Sequence, residues 1–198
     1  MARLSVVESV TLDGVMQGLG RPDEDTRDGF SAGGWGPPYA DEVMGREMGQ
    51  GMASAAAMLL GRRTYDDFYS YWPQQQDNPY TEVLNKLQKY VVTNTATEPL
   101  PWMNSAVVAG DPVRSVAALK DTLEEDLVTL GSGQLVRALL AAGLVDTLVL
   151  LIHPLLIGQG RRLFPDRGDP AALTLVSTVP TSTGVIIATY DAAPPPAA

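Results

Sequence analysis

Cysteine is absent from the 198-residue chain, and histidine occurs once, as His153. The missing cysteines exclude disulfides, thiolate metal ligands and cysteine nucleophiles. A single histidine without a clustered His/Asp pattern argues against a catalytic zinc site, so we expect no metal. No apolar run is long enough for a signal peptide or a membrane span. We therefore predict a cytoplasmic protein that does not bind membranes.

Basic residues are scarce as well. The chain has 14 Lys and Arg against 23 Asp and Glu, and its formal net charge is −9. Such an acidic chain is a poor match for nucleic acid or an anionic membrane surface. Any binding of phosphate would have to come from local arginines and backbone amides. The expected partner is therefore a small molecule and not a nucleic acid.

The length suits one domain, which we predict over residues 1–191. Hydrophobic residues make up 45% and charged residues 19% of the chain, as in ordinary globular proteins. The last seven residues, 192–198, read AAPPPAA and are predicted to be a disordered tail.

The stretch from Asp126 to Gly160 has the pattern of a β-α-β unit. Leu127–Leu130 is a short apolar strand, and the turn Gly131–Gly133 follows it. A helical pattern then runs to Gly143, a residue type that often ends helices. Val145–Ile152 is a second apolar strand. The Gly-rich turn offers free backbone N–H groups and a helix N-terminus, which suit phosphate.

The remaining chain also alternates between strands and helices, interrupted by a long loop at Gln17–Pro38. The other strands are predicted at Leu4–Val10, Ala55–Leu60, Lys89–Thr93 and Ala106–Ala109, the helices at Tyr39–Ser54, Arg62–Tyr71, Pro79–Gln88 and Pro112–Glu124, and a C-terminal hairpin at Leu173–Val179 and Gly184–Tyr190. This order indicates an α/β fold with a mostly parallel sheet, helices on both faces and an antiparallel edge.

Ligands of open α/β sheets bind beyond the carboxyl ends of the strands. The residues that follow the predicted strands are rich in Gly, Arg, hydroxyl and amide groups: Thr11–Gly14, Gly61–Thr64, Thr93–Thr95, Gly131–Gln134 and His153–Pro154. Two of these segments lead into helix N-termini, and Arg62 and Arg63 can pair with phosphate oxygens. Together they suggest a site for a ligand with several phosphates, such as a dinucleotide. The Gly131 turn could equally be only a tight strand–helix connection.

The Gly131 turn is neither a Rossmann fingerprint nor a Walker loop. Val136 occupies the place of the last Gly of G-x-G-x-x-G, and the acidic residue expected about twenty positions on is missing. No Gly-Lys-Ser/Thr is present either. Ordinary NAD dehydrogenases and nucleotide triphosphatases are therefore disfavoured.

Other candidate residues admit both a structural and a functional interpretation. His153 is expected to be a hydrogen-bonded structural residue more often than a general base. Trp35 either anchors the long loop or covers a ligand, and a Met stripe such as Met44 and Met48 is more often core than ligand surface. No spacing selects an acid among the scattered carboxylates Asp13, Asp28, Asp41, Glu42 and Glu47.

Five motifs in this order resemble the dihydrofolate-reductase-like superfamily, and most closely the branch containing the reductase domain of bacterial riboflavin biosynthesis, the RibD C-terminal domain. They are Thr11-Leu12-Asp13-Gly14, Gly61-Arg62-Arg63-Thr64-Tyr65, Val91-Val92-Thr93, Gly131-Ser132-Gly133, and the segment from Leu151 to Phe164 with His153-Pro154, Gly158 and Gly160. The resemblance implies the dihydrofolate reductase fold, a twisted, largely parallel eight-stranded sheet flanked by helices.

The resemblance also implies NADPH as hydride donor and a homodimer. By motif, cofactor phosphates would be held by Gly61, Arg62, Arg63 and Thr64, and the pyrophosphate by Gly131, Ser132, Gly133, Gln134 and Leu135. Thr93 and Asn94 would lie near the adenosine ribose and its 2′-phosphate, and Asp13 and Gly14 would border the nicotinamide and substrate. Asp13 and Asp41 are predicted as catalytic residues, with Glu42 as the alternative to Asp41. Trp35, Met44 and Met48 would line the substrate side.

Departures from the family pattern bear on the substrate. Folate reductases carry an aromatic residue where this chain has Val136, so reduction of folate is less expected than a related reduction. Arg161 and Arg162 are the candidates for holding a ribose phosphate. We expect hydride transfer to a C=N or C=O of a small heterocycle or opened sugar. A binding protein without turnover, a dihydrofolate reductase proper and a purely structural α/β domain remain alternatives.

Overall fold

The structure is a computed structural model that describes residues 1–54, 57–76, 78–96, 98–164 and 170–192. Its strands are β1 (Leu4–Thr11), β2 (Ala57–Gly61), β3 (Gln88–Val92), β4 (Ser105–Val108), β5 (Leu127–Leu130), β6 (Thr147–His153), β7 (Leu173–Pro180) and β8 (Ile186–Ala192). They form an eight-stranded sheet in the order β4-β3-β2-β5-β1-β6-β8-β7. The helices are α1 (Glu42–Ser54), α2 (Arg62–Tyr71), α3 (Pro79–Lys86), α4 (Pro112–Thr122) and α5 (Gly133–Ala141). The predicted α/β fold with a mostly parallel sheet and an antiparallel C-terminal pair is confirmed.

The chain divides into two compact units. The first comprises residues 1–6 and 49–146, and the second comprises residues 7–48 and 147–198. The expected single domain over residues 1–191 stays a prediction. Of the expected tail, only Ala192 is described, as the last residue of β8, and the rest lies outside the described residues.

Four parallel strands form the sheet of the first unit. The register pairs Gly61 of β2 with Val92 of β3, and Val92 with Val108 of β4. On the other side of β2, Met58 pairs with Val128 of β5. Because the register is in step, the carboxyl ends of these strands lie along one edge. Strand β2 is buried over its four apolar residues, which explains its uninterrupted apolar sequence.

Helix boundaries in the first unit follow local chemistry. The side chain of Asn78 accepts from the Tyr80 N–H at the start of α3, and Asp111 accepts from the Arg114 N–H at the start of α4. Helix α5 ends as predicted at Gly143, which adopts a positive φ of 66°. There the N–H groups of Gly143 and Leu144 bond back to the last turn of the helix.

A buried lysine fastens α3 and the β3–β4 connection in the first unit. The Lys89 ammonium donates to the carbonyls of Leu87 at 2.7 Å and Met103 at 3.1 Å, and it lies 4.5 Å from the centre of the Trp102 ring. Its side chain is fully buried, and burial lowers the pKa of Lys89 to about 8. The backbone N–H of Trp102 in turn donates to the Tyr65 hydroxyl oxygen. Lys89 therefore donates to two backbone carbonyls from a core position.

The second unit contains the antiparallel part of the sheet. Strand β8 pairs with β6 on one side and with β7 on the other. A bulge at Val176 interrupts the β7–β8 register. The buried residues Leu151, Val185 and Ile187 form an apolar cluster of the second unit. Met44 and Met48 of α1 pack against this cluster.

The long loop Gln17–Pro38 is ordered by its own contacts. Its two ends are joined by backbone bonds from Gly34 N–H to the Gly18 carbonyl at 2.7 Å and from Gly36 N–H to the Leu19 carbonyl at 2.9 Å. The Trp35 indole N–H donates to the Gln17 carbonyl at 2.8 Å, and its ring packs with Val15 and Phe30. The loop is therefore a compact surface loop, and it shares its apolar centre with Val15, Leu155 and Ile157.

Most predicted boundaries agree with the structure to within two residues, although the first two residues of the strand predicted at Ala55–Leu60 lie outside the described residues. Helix α1 is an exception, because it begins at Glu42 and not at Tyr39. Residues Pro37–Tyr39 form a separate turn of 3₁₀ helix, and Asp41 caps α1 by accepting from the Met44 N–H. In the described part of the chain, no helix has the length and apolarity needed to cross a membrane.

Candidate functional site

Two turns of the first unit, at the ends of β2 and β5, are joined directly. The Gly61 N–H donates a 2.8 Å hydrogen bond to the Ser132 hydroxyl oxygen. A Cβ atom on Gly61 would lie 3.1 Å from that oxygen, and one on Gly131 would lie 3.5 Å from Cγ2 of Thr64. The approach at Gly61 is tighter than a Cβ atom normally makes, whereas glycine is favoured at position 131 by its positive φ of 84°. Sequence motifs 71 residues apart thus meet in one place.

Each of these turns leads into a helix N-terminus without a side-chain cap. Neither Gly61 before α2 nor Ser132 before α5 makes a side-chain cap hydrogen bond. Ser132 has a left-handed backbone, with φ 70°, and Gly131 before it has φ 84°. Uncapped N–H groups of two neighbouring helices, each at the positive end of a helix dipole, make an arrangement that suits phosphate oxygens.

The other predicted residues of these turns differ in exposure. Gln134 is exposed, whereas Gly133 and Leu135 are buried, so Leu135 has only its backbone to offer a ligand. Arg62 is half-buried, and its Nε lies 2.8 Å from both carboxylate oxygens of Asp66 one helical turn away. Arg63 is exposed beside it. Two guanidinium groups therefore stand at the N-terminus of α2.

The segment after β3 is bonded to the segment after β4. The Asn94 amide donates to the Gly110 carbonyl at 3.0 Å and accepts from the Gly110 N–H at 2.6 Å. The Thr93 hydroxyl oxygen accepts from the Thr95 N–H at 3.2 Å. These contacts hold Thr93 and Asn94 at the carboxyl edge of the same four strands, with the Asn94 side chain already engaged. A ligand would meet a rigid edge here.

In the second unit, Asp13 holds a neighbouring loop. Its carboxylate accepts from the Thr11 hydroxyl at 2.6 Å and from the N–H groups of Ile157 at 3.2 Å and Gly158 at 2.7 Å. The hydrogen bond from Thr11 is the largest cause that lowers the pKa of Asp13. An ionised carboxylate with three donors is well suited to positioning the loop. Gly14 beside it has φ 81°, and its carbonyl accepts from the Leu163 N–H.

Asp41 has a similar structural environment in the second unit. One carboxylate oxygen accepts from the Met44 N–H, and the other accepts from both the N–H and the hydroxyl of Ser182, each at 2.6 Å. These bonds, that of Met44 first, lower the pKa of Asp41. Asp41 therefore caps α1 and fixes the turn between β7 and β8.

His153 is buried between two aromatic rings. Trp35 lies edge-on to its imidazole at a centroid distance of 4.9 Å, and Tyr39 lies edge-on at 5.7 Å. Nδ1 lies 3.0 Å from the Leu151 carbonyl oxygen, and burial lowers the pKa of His153. The imidazole is therefore a neutral core group. Trp35 is 7% exposed, and Met44 and Met48 are half-buried.

Glu8, in the second unit, is a buried acid that the sequence analysis does not identify. Glu8 lies on β1 with 5% exposure, and its Oε1 has no hydrogen-bond partner among the described residues. Burial raises the pKa of Glu8 to about 8, so the carboxyl group holds a proton at neutral pH. The available signal was a lone acidic residue on the buried side of an alternating strand.

The structure thus brings the predicted phosphate-binding residues of the first unit to one strand edge: Gly61, Arg62, Arg63, Thr64, Thr93, Asn94, Gly131, Ser132, Gly133, Gln134 and Leu135. Asp13, Gly14, Trp35, Asp41, Met44 and Met48 belong to the second unit. The catalytic, cofactor and substrate roles of both groups stay predictions.

Solved structures of known proteins share this fold. A solved structure of a protein from Shewanella sp. PV-4, provisionally assigned to riboflavin biosynthesis, has a TM-score of 0.68 and 21% identity and covers 98% of this chain and 99% of its own. Dihydrofolate reductase from Enterococcus faecalis, solved with NADP(H), has a TM-score of 0.60 and 16% identity, with 96% of each chain covered. These likenesses show the dihydrofolate-reductase-like fold.

Sequence comparison identifies the family. The uncharacterized protein YyaP of Bacillus subtilis (strain 168) is 32% identical over 138 residues, which span 67% of this chain and 72% of YyaP. Residues 3–187 match the RibD C-terminal domain family. The chain therefore belongs to the family of RibD C-terminal domains, which is a family of reductase-like proteins.

Proposed function

We propose that the chain is an NADPH-dependent reductase that transfers a hydride to a small heterocyclic, carbonyl or imine substrate, as in the reductase step of riboflavin biosynthesis. The observation that carries this proposal is the junction of Gly61 and Ser132, which brings two uncapped helix N-termini together. A ligand with several phosphates can be bound there by backbone N–H groups, and Arg62 and Arg63 add positive charge. The dinucleotide, when bound, supplies the hydride.

The residues present fit such a cofactor. Gly131 and Gly61 leave the room that a Cβ would fill, and Thr64 adds a hydroxyl beside Gly131. Thr93 and Asn94, held at the same edge, are proposed to lie by the adenosine ribose. In the second unit, Asp13 and Gly14 are proposed to border the nicotinamide, with Asp41 as a further catalytic candidate and with Trp35, Met44 and Met48 on the substrate side.

NADPH titration, followed by fluorescence or calorimetry, tests the cofactor site. Gly131→Val places a branched side chain against Thr64, and we expect it to weaken NADPH binding at least about tenfold, since backbone donors are displaced. Gly29→Val is the matched control, because Gly29 has a similar φ of 76° and a Cβ placed on it would meet nothing within 4 Å. Absence of binding by the wild type at millimolar NADPH contradicts the proposal.

A binding protein without turnover is the second candidate. It is favoured by one observation: the carboxylates of Asp13 and Asp41 both accept hydrogen bonds from donors within the chain, which lower their pKa, so neither is arranged as a proton donor. Oxidation of NADPH in the presence of pterins, flavin precursors or aldehydes separates the two. Binding without oxidation across this panel supports the binding protein, and oxidation supports the reductase.

The chain is further proposed to form a homodimer through β7. This edge strand is exposed along seven of its eight residues, and these include Leu175 and Val176, which are 55% and 57% exposed. Exposed apolar edge strands tend to pair with another chain. Sedimentation or light scattering tests this: Leu175→Glu is expected to give monomers, whereas Leu156→Glu, at a site 76% exposed, leaves the dimer intact.

A further inference from the structure

The proposed reduction requires a proton as well as a hydride, because the nitrogen or oxygen of a reduced C=N or C=O group has to be protonated. Three titratable side chains of the second unit are not arranged as its donor. The hydrogen bond from Thr11 lowers the pKa of Asp13. The one from the Met44 N–H lowers the pKa of Asp41 in the same way. His153 is 1% exposed, and burial lowers its pKa, so the imidazole is a neutral core group.

Glu8 carries a proton at neutral pH but faces the other side of the sheet. Val7, the residue before it on β1, packs against the apolar cluster of the second unit, which Met44 and Met48 of α1 also contact. Successive side chains of a strand point to opposite faces, so Glu8 points away from this cluster. It is therefore not the donor for a substrate that lies beside Met44 and Met48.

Tyr39 lies on the same face of the sheet as Met44 and Met48. All three side chains pack against the apolar cluster of the second unit, to which Leu151 of β6 belongs. His153 follows Leu151 by two residues on this strand and so points to the same face. The Tyr39 ring stands edge-on to the imidazole, at a centroid distance of 5.7 Å. Tyr39 therefore lies among residues that are proposed for the substrate side.

The Tyr39 hydroxyl is available for a ligand. The side chain is half-buried, and in the described part of the chain its hydroxyl makes no hydrogen bond. A phenol holds its proton at neutral pH and can donate it in a hydrogen bond or to a reacting atom. Asp13, Asp41 and His153 lack this combination of a retained proton and an unused donor.

The backbone at Tyr39 is fixed on both sides. Its N–H donates to the Gly36 carbonyl at 2.9 Å, and its carbonyl accepts from the Thr183 hydroxyl at 2.6 Å. Two residues further on, Asp41 accepts from the N–H and the hydroxyl of Ser182. The segment that carries the phenol is thus held in place before a substrate binds, which lowers the entropic cost of placing a donor at a reacting atom.

We propose that Tyr39 is the proton donor of the reductase, with its hydroxyl at the nitrogen or oxygen of the group that is reduced. The carbon of that group accepts the hydride that the dinucleotide supplies. The electron pair of the C=N or C=O bond moves to the nitrogen or oxygen, and this atom takes the proton of the Tyr39 hydroxyl. Water then returns a proton to the phenolate, so the substrate gains one hydride and one proton. The inference rests on the proposed function and assigns its proton-transfer step to one residue.

Tyr39→Phe tests the donor, because it keeps the ring and removes only the hydroxyl. NADPH oxidation is measured with dihydropterin, lumazine and benzaldehyde as substrates. We expect kcat to fall at least about hundredfold, as when a general acid is lost, while NADPH affinity and urea unfolding change little. Tyr190→Phe is the matched control and should keep the wild-type kcat. It removes the hydroxyl of another half-buried tyrosine of the second unit, which pairs with Leu148 near the start of β6.

A second measurement needs no turnover. In NMR spectra of the chain with an isotopic label at the hydroxyl-bearing ring carbon of tyrosine, the Tyr39 resonance is the one that Tyr39→Phe lacks. We expect it to shift when a compound of the same panel is added without NADPH. A shift without NADPH oxidation supports contact of Tyr39 with the substrate and contradicts the reductase. Oxidation that persists in Tyr39→Phe at more than about a tenth of the wild-type rate supports the reductase and overturns Tyr39 as donor. A Tyr39 resonance that no compound of the panel shifts also overturns it.

Discussion

The Gly61 N–H donates to the Ser132 hydroxyl oxygen at 2.8 Å, although the two residues are 71 positions apart in the chain. The bond joins the end of β2 to the end of β5, and Ser132 adopts its left-handed backbone while accepting it. A strained backbone conformation of this kind persists only where the surrounding structure imposes it. Here the bond sets the spacing of the N-termini of α2 and α5.

Removal of the Ser132 hydroxyl tests whether this hydrogen bond sets the spacing of the two helix N-termini. Ser132→Ala leaves the Gly61 N–H without its partner, and we expect a loss of about 1 kcal/mol in the free energy of unfolding together with weaker NADPH binding. Urea unfolding and NADPH titration measure the two effects. Ser70→Ala is the control, because it removes a hydrogen bond that an exposed hydroxyl donates within α2, and it should leave the NADPH affinity unchanged. Unchanged affinity in Ser132→Ala would show that the spacing of the turns does not matter for the cofactor.

The raised pKa of Glu8 predicts that the stability of the folded chain depends on pH. Its pKa rises from 4.5 to about 8 on folding, so the folded chain holds a proton that the unfolded chain releases between these values. The free energy of unfolding therefore falls as the pH rises through this window. Glu8→Gln cannot titrate, and unfolding measured at pH 5, 6.5 and 8 should show a shallower fall than in the wild type. Glu124→Gln, at an exposed position, should reproduce the wild-type slope.

Substitution of Asp13 tests whether this residue positions the neighbouring loop or takes part in the reaction. Its pKa is lowered on folding, so its contribution to stability is present above the unfolded pKa and is lost as the pH falls through the folded one. Asp13→Asn lacks one acceptor for the Ile157–Gly158 loop, and we expect a loss of about 1 kcal/mol, with less protection of those amides in hydrogen exchange. Loss of turnover with unchanged stability and exchange would instead point to direct participation in the reaction.

The buried position of Lys89 predicts that its substitution lowers the free energy of unfolding. Lys89→Met keeps the apolar stem but removes the ammonium that donates to the carbonyls of Leu87 and Met103. We expect a loss of about 1–3 kcal/mol in the free energy of unfolding. Lys86→Met, which removes a neighbouring exposed ammonium, should change stability by less than about 0.5 kcal/mol. Equal stability of the two variants would argue that water replaces the Lys89 bonds.

The fold was predictable from the sequence because its signals are local. Apolar runs such as β2 and glycines such as Gly143 act within a few residues and mark where elements begin and end. The parallel edge that gathers Gly61, Thr93 and Gly131 also followed, because parallel strands align their carboxyl ends. The early start predicted for α1 was wrong because Pro37–Tyr39 forms its own turn before the Asp41 cap.

The detailed environments of titratable groups could not be predicted in this way. The donors to Asp13 include Ile157 and Gly158, 144 and 145 residues away, and those to Asp41 include Ser182. Such partners depend on tertiary structure, and no spacing rule identifies them.

The division of the chain has a consequence for how such proteins diverge. Apart from Gly14, every predicted cofactor residue lies between Gly61 and Leu135, inside the uninterrupted piece of the first unit, whereas the second unit is assembled from residues before and after that piece. Substitutions in the two outer pieces can alter the residues proposed for the substrate side, or the β7 edge, and leave the turns proposed to bind phosphate untouched. Chimeras that exchange residues 49–146 between relatives should therefore transfer the preference for cofactor and retain the preference for substrate of the recipient.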